Sequence, residues 1–171
     1  IMLFPIKDEQ QEILEHQIKI TNDPLVDTHI DYYGNIVGTF TTKEYHKELK
    51  IDSIIVVEVQ KKKLPETSIF IEEQWNNLKH LSYQLPYINF LKQEAFSSEN
   101  EVYEAINPEQ KKTNSPYEVA TNLNTFVYEN FKYIKGITNI STTIEEIWNL
   151  RAGVCQDFAH ILLFMLRHMG I

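Results

Sequence analysis

Asn149-Leu150-Arg151-Ala152-Gly153-Val154-Cys155-Gln156-Asp157-Phe158-Ala159-His160 runs directly into Ile161-Leu162-Leu163-Phe164-Met165-Leu166-Arg167-His168-Met169-Gly170-Ile171. The second stretch predicts a helix from about Cys155 to Met169, closed by Gly170, which takes the left-handed conformation at little cost. Phe158, Ile161 to Leu166 and Met169 make this helix apolar nearly all round, so it is expected in the middle of a domain. Gly153 lets the backbone turn sharply before it, and the free N–H groups of the first turn face whatever lies near the sulfur. Those groups and the helix dipole favour a thiolate, the reactive form of cysteine. They can also hydrogen-bond the oxyanion of a tetrahedral intermediate. Cys155 is therefore the candidate nucleophile, expected in the first helical turn with its sulfur reachable from a cleft, and its own N–H is a candidate for the oxyanion hole.

The plain alternative is a buried, inert cysteine, because free Cys packs well as a small hydrophobe. Helical spacing puts Cys155 on the stripe of Phe158, Ala159, Leu162 and Leu166, which points towards a core. Asp157 counts slightly against a reactive thiol, since a nearby carboxylate opposes thiolate formation.

Upstream of this stretch the apolar period is that of a helix. Ser115-Pro116-Tyr117-Glu118 reads as a capping box with Pro at the first helical position. Val119, Leu123, Phe126, Val127 and Phe131 then form one stripe. Thr143 to Leu150 predicts a shorter helix, with Glu145 and Glu146 in its first turn and Ile144, Ile147 and Trp148 on one face. The first third of the chain carries the period of two. His16 to Ile20 alternates, Asp31-Tyr32-Tyr33-Gly34-Asn35 marks a turn, and Ile36 to Phe40 resumes extended character, which predicts a hairpin. Ile51 to Val59 is short and β-branched, and is expected to be a buried strand. Lys61-Lys62-Lys63-Leu64-Pro65-Glu66 combines charge with a proline that cannot extend a ladder, and marks a domain boundary. The fold class expected is α+β, a small antiparallel β domain followed by a largely helical region.

Composition narrows the function. A net charge of -8, from 24 acidic and 16 basic residues, argues against a surface built to neutralise phosphates, so no nucleic-acid partner is expected. The apolar run from Ala159 to Leu166 is far shorter than the roughly 20 residues of a bilayer span, and no membrane association is expected. One cysteine excludes an internal disulfide and a CxxC metal knot. No two of the six histidines have the spacing of an HExxH site, so neither metal nor cofactor is expected. Ile1-Met2-Leu3-Phe4-Pro5 lacks the features of a signal peptide and an initiator methionine; it reads as a cut end, and the expected location is cytoplasmic.

The stretch from Asn149 to His160, with Leu166-Arg167-His168-Met169-Gly170-Ile171 after it, resembles the signature around the active cysteine of the bacterial transglutaminase-like family. Phe131 to Thr138 and Thr142 to Glu146 resemble the family's approach to that cysteine. Asp31 to Asn35, followed by Phe40, resembles the small β domain that precedes its catalytic core. The resemblance implies an N-terminal β domain over 1–63 that lacks its first strand, a partly helical connection over 64–114, and the beginning of a papain-like core over 115–171. It implies that Cys155 works with a His and an Asp carried on strands after the cysteine helix. Both would follow Ile171, so the chain by itself is expected to be silent.

On that reading Cys155 forms a thioester with an acyl group from a glutamine side chain or a peptide bond, and water or an amine resolves it. The partner expected is a protein or peptide substrate. Hydrolysis, by a cysteine protease or amidase, is favoured over crosslinking, because no feature of the sequence indicates a dry amine channel. Protein-glutamine acyl transfer and an idle interaction module of the same fold remain the alternatives. None of the histidines present replaces the missing one. His160 lies about 140° around the helix from Cys155 and reads as structural, and His168 lies about 20 Å along it. His16, His29, His46 and His80 read as surface residues. Trp148 and Tyr133 read as packing aromatics.

Overall fold

A computed structural model describes residues 2–43, 45–61, 68–93 and 96–171, which divide into two compact units, Ile1–Glu66 and Thr67–Ile171. Most of the stretch read as a boundary, residues 62–66, lies outside the described residues.

The regular elements among the described residues of the first unit are β1 (Met2–Leu3), β2 (Gln11–Ile20), β3 (Val26–Ile30), β4 (Ile36–Phe40) and β5 (Ile51–Val59). β1, β4 and β3 form one antiparallel sheet in that order, and β2 pairs with β5 in a second. The β3–β4 hairpin turns where the sequence marks it. Asp31 accepts hydrogen bonds from the Tyr33 and Asn35 N–H groups and from the Asn35 amide, and Gly34 takes φ 84°. Those bonds hold the Asp31 carboxyl below its ordinary pKa. Gly38 in β4 leaves room for the Phe4 ring, which a Cβ there would approach to 2.6 Å. The β5 span agrees with expectation but its burial does not. Ile54 is 55% exposed, and Ile51, Ile55, Val56 and Val59 are exposed as well. Its only neighbour among the described strands is β2, so a run of β-branched residues that reads as a buried strand sits in a two-stranded ladder.

The second unit contains α1 (Ile71–Leu81), α2 (Tyr87–Phe90), α3 (Glu99–Ala105), a 3₁₀ turn (Pro108–Lys112), α4 (Pro116–Asn130), β6 (Lys132–Tyr133), α5 (Ile144–Leu150), β7 (Ala152–Gly153) and α6 (Cys155–Met169). The fold is thus α+β, antiparallel strands followed by a helical region. α4 and α5 begin with complete capping boxes, Ser115 with Glu118 and Thr143 with Glu146. The core joins Val119, Leu123, Val127 and Phe131 to Ile147 and Trp148 of α5 and to Ile161, Phe164, Met165 and Met169 of α6, with Val102 and Ile106 closing one side. Phe126 and Ile144 pack at its edge.

α6 is not surrounded. Its buried stripe is Asp157, Ile161, Phe164, Met165 and Met169, while Leu163 is 44% exposed. Ala159 and His160 are exposed too. The helix is apolar all round in sequence but covered on one side by the described residues.

Candidate active site

The site is built at the start of α6. Arg151 ends α5 in the left-handed conformation, φ 49°, and reverses the chain so that Ala152 and Gly153 run as β7, parallel to β6. The Lys132 N–H donates to the Arg151 carbonyl at 2.8 Å and the Ile134 N–H donates to the Gly153 carbonyl at 2.9 Å. The Arg151 guanidinium lies 3.3 Å from the centre of the Trp148 ring and 5.4 Å from that of Phe131. Burial pulls its pKa down and the nearby Glu101 opposes that. Trp148 is buried in the core and its Nε1–H donates to Glu101 Oε2 at 3.0 Å. The turn before the cysteine is therefore fastened on the core side by an arginine and two rings.

Val154 is extended and Cys155 is the first residue of α6, with an exposed thiol. The stripe of Phe158, Leu162 and Leu166 does not carry the sulfur into the core, because the buried face starts at Asp157 instead. In the sequence the sharp turn is expected at Gly153. The left-handed residue is Arg151, and Gly153 serves another purpose: a Cβ on it would lie 2.5 Å from Asp157 Oδ2 and 2.7 Å from Asp157 Cβ.

Asp157, which in the sequence counts only against a reactive thiol, has a second part here. It is 4% exposed, the one buried charged side chain among the described residues. Its Oδ2 accepts from the Val154 N–H at 2.7 Å and from Thr138 Oγ1 at 2.5 Å. The signal that could have found it is an acid at the third helical position, half of a capping box. Thr138, 19 residues earlier, leaves no such signal.

The N-terminus of α6 also differs from those of α4 and α5. Its first helical bond is Phe158 N–H to the Val154 carbonyl, and no side chain caps the N–H groups of the turn ahead of it, because valine has no oxygen to offer. Such uncapped donors at a helix start are available to an anion or a carbonyl oxygen.

The other candidates are placed apart. His160, which reads as structural in the sequence, is exposed among the described residues. His168 sits at the far end of α6, its Nδ1 3.6 Å from Glu99 Oε1 and its ring stacked on Phe164. Tyr133 is 58% exposed, but its ring meets Phe158 edge-on. A cavity of about 930 Å³ opens at the far end of α6 between Trp75, Lys111 and Met169, and takes no lining from Cys155. No cluster of three or more His, Cys, Asp or Glu among the described residues could hold a metal ion, and no described helix is long and apolar enough to cross a membrane.

Two family models match the chain: the bacterial transglutaminase-like N-terminal region over residues 1–58, and the transglutaminase-like superfamily core over residues 104–171. An uncharacterized protein of Mycobacterium leprae is 25% identical over 169 residues, covering 99% of this chain and 59% of that protein. One of Mycobacterium tuberculosis is 28% identical over 178 residues, covering 99% and 55%. The chain thus spans little more than half the length of these relatives. A crystal structure named as a "Putative Cysteine Protease", from Cytophaga hutchinsonii, superposes with a TM-score of 0.63 at 20% identity, over 96% of this chain and 55% of that one, and shares its fold. With a β unit, a core and a cysteine turn in this order, the chain belongs to the transglutaminase-like superfamily, joining the bacterial N-terminal region to the core region.

Proposed function

We propose that the complete protein is a cysteine hydrolase, a protease or amidase acting on protein or peptide substrates, with Cys155 as its nucleophile. One observation supports this above the others: an exposed thiol stands on the first residue of a helix whose leading N–H groups have no side-chain cap. A substrate carbonyl placed against that turn meets the sulfur and the donors together. The thiolate adds to the carbonyl carbon, the oxygen takes up the negative charge against the N–H groups, and collapse expels the amine with a proton and leaves a thioester. Water then adds to the thioester, releasing the acid and returning the thiol. The proton transfers require a histidine, oriented by a carboxylate, and on the family resemblance both come from the part of the protein that follows Ile171.

The test is Cys155→Ala in the complete protein, assayed on glutamine-bearing peptides with and without a primary amine. Turnover is expected to fall by several orders of magnitude while folding is kept. Undiminished turnover would end the nucleophile assignment. Incorporation of the amine in preference to ammonia release with water would make the protein an acyltransferase.

A further inference from the structure

We infer that Asp157 is a positioning residue for this thiol: bound to the Val154 N–H and to Thr138, it fixes the turn that presents Cys155 and leaves the leading N–H groups of α6 open. The inference rests on the reading of Cys155 as nucleophile and adds a second residue to it.

A helix start is ordinarily secured from outside, by a Ser, Thr or Asp ahead of the first turn whose oxygen takes the N–H groups of the second or third residue. α4 and α5 are secured in this way. At α6 such an oxygen would occupy the donors that an oxyanion needs. The chain places valine there and secures the turn from inside instead: the third helical residue, Asp157, reaches back to the N–H of Val154. The helix gains a carboxylate at its positive end, and the bond takes the N–H of Val154, not those of the first helical residues. Thr138 adds a bond to the same carboxylate oxygen, which ties the loop after β6 to the cysteine turn. Gly153 gives the carboxylate its room, since any side chain there would overlap it. A buried carboxylate is costly unless hydrogen-bonded, so this arrangement holds in one geometry and resists loosening. Its position on the core side keeps it off the face that a substrate would use.

The experiment compares Asp157→Asn, Asp157→Ala and Thr138→Val in the complete protein. Two rates are measured: alkylation of Cys155 by iodoacetamide, followed by mass spectrometry of its peptide, and turnover of a glutamine peptide resolved into kcat and KM. Asn and Ala both remove the charge, so their difference reports position alone. The Asn oxygen can still accept from the Val154 N–H. The expected result is that Asn retains alkylation and kcat while Ala loses about tenfold in both at unchanged KM. Thr138→Val should lose less, in the same direction. Equal alkylation rates for folded Asn and Ala variants overturn the inference. Should Asp157→Ala fail to fold, an unchanged alkylation rate in folded Thr138→Val overturns it equally. A failed nucleophile reading is seen separately, as persistent turnover in Cys155→Ala with the alkylation differences intact.

Discussion

At Gly153 the absence of a side chain has a measurable consequence. Its φ lies outside the left-handed region, so alanine is opposed not by backbone strain but by the approach to Asp157, 2.5 Å to Oδ2 and 2.7 Å to Cβ. The carboxylate cannot retreat without giving up Val154 or Thr138, so Gly153→Ala is expected to destabilise by about 1–3 kcal/mol, read from denaturant unfolding. His160→Gln should change stability by less than about 0.5 kcal/mol in the same assay, because its side chain is exposed. The second outcome differs from what the residue suggests in sequence, and the first has another cause there. Cys155 is legible there because glycine, cysteine and an apolar helix follow one another directly. The duties of Gly153, Asp157 and His160 are not, because each depends on which face of α6 is covered, and a helix apolar on every side does not show that.

The starts of α4, α5 and α6 show how one local rule is kept twice and modified once. Ser115 and Thr143 accept from the third-residue N–H at 3.3 Å, and Glu118 and Glu146 return bonds of 2.7 Å to the cap N–H groups. These boxes are readable from sequence because all their members lie within four residues. The returning bonds hold the Glu118 and Glu146 carboxyls below their usual pKa, backbone bonds to Ser115 and Thr143 being the largest cause. A carboxyl depressed on folding contributes stability that is present above its unfolded pKa, roughly 4.3, and lost as pH falls through the lower folded value. Glu146→Gln should therefore flatten the fall of melting temperature with acid in that window; a curve parallel to wild type would contradict it. At α6, Val154→Thr restores the missing cap oxygen at similar shape. It is expected to raise stability by up to about 1 kcal/mol and to lower turnover of the complete protein, since the added hydroxyl takes a donor proposed for the oxyanion. β5 shows the opposite limit of local reading: its β-branched composition gives the strand's extent, but burial depends on layers that no strand specifies for itself.

Over the whole molecule, the change of apolar period from two to 3.6 carries the α+β architecture, and the stripe from Val119 to Phe131 identifies the face of α4 around which the core assembles. What the period does not convey is how the cysteine turn is joined to that core, because the joint is made by residues distant in sequence. Trp148 is that joint. It is 1% exposed, packs with Phe131 at 6.1 Å between centroids, carries the Arg151 guanidinium on its face, and donates Nε1–H to Glu101 on α3. Trp148→Ala removes a large buried volume and strands both Glu101 and Arg151, so a loss of about 3–5 kcal/mol is expected from denaturant unfolding. Trp148→Phe keeps an aromatic face for Arg151 but loses the hydrogen bond and part of the volume, and its loss should be clearly smaller. Arg151 bears the left-handed turn whose carbonyl accepts from Lys132, so disorder at Trp148 should reach the cysteine along a path of four residues. The folded fraction of Trp148→Ala should then alkylate Cys155 at an altered rate, whereas Trp148→Phe should keep the wild-type rate. If Trp148→Ala lost stability yet kept the wild-type alkylation rate in its folded fraction, the core would hold the cysteine turn by β6 and β7 alone, with no part for the arginine and its two rings.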